Sequence, residues 1–158
     1  QEAAYVTVNL MQGVTTAGSG ARLRHAGLEE TNYIYKNVIT GYPYVFENPI
    51  AGKTGTTQNQ SDGWFMGMVP NLATGVWVGG DDRSIHFKDI GFGQGATMAL
   101  PIWANYMRSL YDNPEFGISK EDFIAPEELS IPVDCEELAD IKSKENAKPK
   151  ADLKSLGF

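Results

Sequence analysis

Ala51-Gly52-Lys53-Thr54-Gly55-Thr56-Thr57 gathers one cation, three hydroxyls and two glycines into seven consecutive residues. A lysine beside closely spaced threonines can hold a carboxylate, and the glycines let a ligand backbone lie close to the chain. Other chemistries fit less well. A phosphate-binding loop needs a glycine at position 47, where Glu47 stands, and a helix after Lys53-Thr54, where the pattern continues as strand. His25 and His86 are far apart and Cys135 has no partner at ligand spacing, so no metal site is expected. Gly91-Phe92-Gly93-Gln94-Gly95 lacks dinucleotide-loop spacing and reads as a loop, and the triplet Asn59-Gln60-Ser61 is assigned no role.

The chain that must position these groups has 158 residues, enough for one ordinary domain. Its net charge of −7 argues against a nucleic-acid or anionic-membrane partner. A single cysteine excludes an internal disulfide. No apolar run approaches the roughly 18 residues of a membrane span. The opening residues lack the basic and apolar regions of a signal peptide, so a targeting or anchoring segment of a parent protein would lie outside this sequence.

Val6, Leu10 and Val14 recur at helical spacing and predict a core-packed helix over about 3–16, stopped by Gly18 and Gly20. Residues 21–48 read as loop, with room for a short helix near 30–37. Strands are expected at about 49–58, 62–69 and 74–79, with a turn over Pro70-Asn71-Leu72-Ala73 and an antiparallel meander. Trp64, Phe65, Val76, Trp77 and Val78 are expected to be buried in the sheet. A loop over 80–95 leads to a helix at about 96–111. Its stripe Ala96, Ala99, Leu100, Trp103, Met107 and Leu110 needs the sheet as cover, and Pro101 should start or kink it. Residues 113–135 read as an extended wrap and 136–158 as a largely disordered, mixed-charge tail.

Beyond its composition, the string Lys53-Thr54-Gly55 is a signature of penicillin-binding proteins and class A β-lactamases. Its surroundings extend the likeness: Pro49 to Thr57, then Asp62, Trp64-Phe65 and Gly67, then Gly75-Val76-Trp77-Val78-Gly79. Gln12-Gly13-Val14, Gly18-Ser19-Gly20-Ala21 and Gly95-Ala96 through Ala99-Leu100-Pro101-Ile102-Trp103 follow the same order. Residues 3–111 thus resemble the transpeptidase domain of class A penicillin-binding proteins. The resemblance implies an α+β, serine β-lactamase-like fold, an antiparallel sheet flanked by helices, with the N-terminal part of the domain missing and residues 1–112 forming its C-terminal portion.

It also implies a serine acyltransferase that cross-links D-Ala-D-Ala stem peptides of peptidoglycan and is acylated by β-lactams, with no cofactor. The parent would be bifunctional, carrying a glycosyltransferase domain, and anchored at the extracytoplasmic face of a bacterial inner membrane. By the same resemblance Lys53 supplies charge to the cleft, and the Thr56 N–H is one of two oxyanion donors, a contribution often worth ~3 kcal/mol. Thr54 and Thr56 hydroxyls would bind the terminal carboxylate, Gly55 would admit the acyl chain, and Thr57 completes the substrate-binding set. Strict alternation puts Lys53 and Thr54 on opposite faces, so both reach one cleft only from an edge strand.

The family's Ser-x-x-Lys and Ser-x-Asn motifs are absent from these residues. Both precede Lys-Thr-Gly in the family, so the sequence is expected to be one wall of an active site without its nucleophile, inactive alone. A non-catalytic binding or scaffold module that kept the fold is the alternative. Exposed strand edges and uncovered apolar faces make self-association an expectation.

Overall fold

The computed structural model describes residues 1–24 and 44–146. Helix α1 (Glu2–Thr16) is followed, after a turn over 17–20, by a 3-10 turn, Ala21–Arg24. Strands β1 (Ala51–Thr56), β2 (Asp62–Val69) and β3 (Leu72–Gly79) form an antiparallel sheet in the order β1-β2-β3. A short helix α2 (Ile90–Gly93) precedes the long α3 (Gly95–Tyr111), and α4 (Cys135–Asn146) follows an irregular stretch. This is an α+β arrangement. The expected short helix near 30–37 lies outside the described residues.

The core forms where one face of the sheet meets α3. Ala96, Ala99, Leu100, Trp103 and Met107 are all buried, as their spacing requires. Phe65 and Val69 come from β2, with Leu23, Tyr44, Phe46 and Ile50 closing the side of the cluster. Each such large apolar side chain contributes about 1.5–3 kcal/mol of burial. Trp103 sits at the centre, with Phe65 5.1 Å and Phe46 6.5 Å from it between ring centroids. Its indole N–H donates to the Thr74 hydroxyl at 2.7 Å, so burial leaves that polar atom satisfied. Gly67 makes the close approach possible: a Cβ there would lie 2.4 Å from the Trp103 ring.

Several expectations are corrected. Trp64 and Trp77 are 43% and 47% exposed rather than buried, because they stand opposite each other on the face turned away from α3. Val76 and Val78, with the other parity, pack on the core only partly buried. On α1 the stripe fails at Leu10, which is 71% exposed, while Thr15 is the fully buried residue. The C-terminal end of α1 is what meets the sheet, where Thr15 donates to the Ile50 carbonyl. The β2–β3 turn is shorter than expected. Val69 pairs with Leu72, leaving Pro70-Asn71 as a two-residue connection. Asn71 then fixes this turn to the following segment by donating to the Gly117 carbonyl and accepting from the Ser119 N–H.

Pro101 lies inside α3, which starts six residues earlier at Gly95. The glycine-rich stretch before α3 is not all loop, since the Asp89 carboxylate caps α2 by accepting from the Gly91 N–H at 2.8 Å. Within the tail expected to be disordered, α4 forms over Cys135–Asn146. Asp134 accepts from the Glu136 N–H at 2.7 Å, and acids in the first turn with Lys144 in the last complement the helix dipole. The irregular segment between α3 and α4 runs back along α1: Gln12 donates to Asp122, and Glu2 accepts from Ser130.

Candidate functional site: the free margin of the Lys-Thr-Gly strand

β1 begins at the buried Ala51 and pairs, among the described residues, with β2 alone. Within the described residues it is an edge strand. Its register sets residue 57 opposite residue 62, and the Thr57 N–H donates to the Asp62 carbonyl at 3.1 Å. In an antiparallel ladder hydrogen-bonded and non-bonded pairs alternate. Lys53 and Gly55 therefore direct their backbone groups to Met66 and Trp64, whereas Thr54 and Thr56 direct theirs outward, to the free margin. Two donors and two acceptors thus point toward that margin, the Thr54 carbonyl already accepting from the Lys53 ammonium.

The side chains gather along the same margin. The Lys53 ammonium, on the opposite face from Thr54, folds over the edge and donates to the Thr54 carbonyl at 2.7 Å. The Thr54 hydroxyl lies 2.6 Å from that of Ser19, in the turn after α1. The Thr56 hydroxyl accepts from the Gly95 N–H at 3.0 Å, tying the first residue of α3 to the end of β1. A Cβ at Gly55 would meet the Trp64 side chain, whose Cβ lies 3.1 Å and Cγ 3.7 Å away. Thr57 turns away from the margin. Its hydroxyl donates to Asp62 Oδ2 at 2.9 Å, while Asp62 Oδ1 accepts from the Trp77 indole at 3.1 Å.

Two arginines brace this arrangement from behind. Arg22 donates to the Ala96 carbonyl in the first turn of α3, and burial pulls its pKa down from the usual value. Arg24 donates to the Phe46 and Asn48 carbonyls and to the Thr15 hydroxyl, and burial lowers its pKa too. Both are half-buried and bonded to neutral oxygens, so they set the position of α1's exit and of α3 relative to β1. Among the described residues, no group of His, Cys, Asp and Glu side chains could hold a metal ion, and no helix is long and apolar enough to cross a membrane.

Lys53, Thr54 and Thr56, singled out by the sequence, meet at one margin; Gly55 lies between them and Thr57 is engaged by Asp62. Sequence reasoning assigned no role to Ser19 or Gly95. Ser19 is brought to Thr54 across 35 positions, and the only local signal is its setting between Gly18 and Gly20 in a tight helix exit.

No family model matches the chain. Penicillin-binding protein 1A of Aquifex aeolicus is 40% identical over 83 residues, 51% of this chain and 11% of that protein. The protein of the same name from Neisseria lactamica is 43% identical over 75 residues, 46% of this chain and 9% of its own length. That of Pseudomonas aeruginosa is 35% identical over 113 residues, 70% of this chain and 11% of its own length. The chain spans about a tenth of the length of these curated relatives. Part of this chain is a region related to penicillin-binding protein 1A.

Proposed function

We propose that this chain is the Lys-Thr-Gly wall of a peptidoglycan D,D-transpeptidase active site, a piece of a bifunctional penicillin-binding protein. The observation that carries the reading is the free margin of β1, where Thr54 and Thr56 turn their backbone groups outward beside the Lys53 ammonium. A stem peptide ending in D-Ala-D-Ala is an extended chain with a terminal carboxylate, and it can add along such an edge. The Thr54 and Thr56 hydroxyls face that carboxylate, and the Thr56 N–H serves the developing oxyanion of the attacked carbonyl. Lys53 supplies positive charge at the same margin. Thr57, held by Asp62, shapes the strand's exit rather than touching the peptide.

The serine of Ser-x-x-Lys would come from residues that precede this segment in the parent. Its oxygen attacks the carbonyl carbon of the penultimate D-alanine, the terminal D-alanine leaves as the amine, and an amine of a neighbouring stem later takes the acyl group. The parent acts on the extracytoplasmic side of the membrane, where that substrate lies, and β-lactams acylate the same serine.

Intact mass after exposure to a labelled penicillin tests the reading. The chain alone should carry no adduct. Mixed with the upstream segment that holds the serine, the adduct should form on the upstream piece only. An adduct on this chain alone would overturn the reading. No adduct from a mixture whose spectrum shows a folded complex would favour the binding-module alternative.

A further inference from the structure

Thr54 and Thr56 share one face of β1, and each hydroxyl oxygen has a protein partner. At Thr56 the direction is fixed, because the Gly95 N–H can only donate; the Thr56 oxygen accepts and its own proton is directed elsewhere. At Thr54 the partner is the Ser19 hydroxyl, 2.6 Å away, and either oxygen can donate. A carboxylate only accepts. With such a ligand at the margin, the arrangement that leaves a proton for it at both threonines is the one in which Ser19 donates to Thr54.

We propose that Ser19 is a positioning residue for carboxylate recognition: its hydroxyl donates to Thr54 Oγ1 and so turns the Thr54 proton toward a terminal carboxylate at the free margin of β1. The inference rests on the transpeptidase reading of that margin and extends it to a residue outside the strand. Ser19 is held for the task by its backbone. The Gly18 N–H donates to the Gly13 carbonyl at 3.1 Å, and the Gly20 N–H to the Val14 carbonyl at 2.9 Å. The Ala21 N–H closes the turn on the Gly18 carbonyl at 3.0 Å, and Ala21 itself is buried. Thr15, four residues before Ser19, fastens the end of α1 to the Ile50 carbonyl. The hydroxyl therefore reaches β1 from a fixed support. A bond received by Thr54 polarises its O–H and strengthens the one it gives.

The test measures binding of N-acetyl-D-Ala-D-Ala and of its C-terminal amide to the whole chain by amide chemical-shift titration. Wild type should prefer the carboxylate form. Ser19→Ala should lower that preference roughly fivefold, the weight of one modest hydrogen bond, and Ser19→Thr should restore it. Thr54→Val should remove the preference, and adding Ser19→Ala to it should change nothing further. If Ser19→Ala lowers the melting temperature but keeps the preference, while Thr54→Val loses it, Ser19 is a structural strut and the inference is overturned with the reading of β1 intact. If wild type shows no preference, or Thr54→Val binds as wild type does, the reading of the margin fails and takes the inference with it.

Discussion

Replacing Gly95 by alanine strikes the joint between α3 and the end of β1. A Cβ at that position would lie 2.3 Å from the Gly55 carbonyl oxygen and 2.4 Å from that of Trp64, where real Cβ atoms essentially never come within 3.0 Å. Gly55 and Trp64 pair directly in the sheet, so neither carbonyl can swing aside. The start of α3 must lift by about 0.7 Å (3.0 less 2.3). The Gly95 N–H to Thr56 bond, now 3.0 Å, then stretches to at most about 3.7 Å, beyond hydrogen-bond range at that limit. Overpacking of this kind costs about 1–3 kcal/mol. The lost bond adds about 1 kcal/mol, and alanine's better helix propensity returns at most about 1 kcal/mol. The net loss of about 1–4 kcal/mol corresponds to a melting temperature lower by roughly 2–16 °C for a domain of this size. Calorimetric melts of Gly95→Ala, Thr56→Val and the double variant give the assay. Thr56→Val should be costly in wild type and nearly free once Gly95 is alanine, since the bond is already gone. A Gly95→Ala protein that melts within about 1 °C of wild type, or additive costs in the double variant, would refute the joint.

Asp62→Ala should cost roughly 1–3 kcal/mol by leaving the Thr57 hydroxyl and the Trp77 indole without their shared acceptor, and the tryptophan emission should change with it. Trp103→Ala should cost about 3–5 kcal/mol, read by thermal melt, because it empties the centre of the core. The Ser130 hydroxyl and N–H hold the Glu2 carboxyl below its usual range. Its stabilisation of the contact is present above the ordinary glutamate value and is lost as pH falls through the lowered one. Exchange at the Ser130 amide should rise over that acidic window in wild type and be independent of pH there, after correction for intrinsic exchange, in Glu2→Gln. Self-association through the exposed Trp64, Met66 and Trp77 face should appear in light scattering, with monodisperse monomer as the refuting result.

The meander and α3 were both legible, from connection lengths in the one case and periodicity in the other. Short turns force antiparallel neighbours, and the stripe from Ala96 to Met107 has one helical solution. The facing of β2 was harder to read, since both parities are apolar: Phe65 and Val69 on one, Trp64, Met66 and Met68 on the other. The deciding signal was glycine rather than hydrophobicity. Gly63 and Gly67 share the parity of Phe65, and Met98 and Trp103 of α3 fill the space they leave. α1 misled for a related reason, because a stripe reports which face is apolar but not whether the chain supplies its cover. α4 was missed where charge was read as disorder, although Asp134 and the two glutamates after it form a helix start.

The candidate site was legible to the extent that it is local. Lys53 and Thr54 are neighbours in sequence and must point to opposite faces of any strand. An interior strand would have separated them by the thickness of the sheet. At an edge the margin belongs to both faces, and the long lysine side chain folds over it to reach the Thr54 carbonyl. The register, through the Thr57–Asp62 pair, then decides which residues turn their backbone outward, and it selects Thr54 and Thr56. Moving the pairing by one residue would instead turn outward the backbones of Lys53 and Gly55 and rotate both threonine hydroxyls to the tryptophan face. Asp62, through its bonds to Thr57 and Trp77, fixes that register at the turn. Ser19 and Gly95 meet the two hydroxyls only when it is kept.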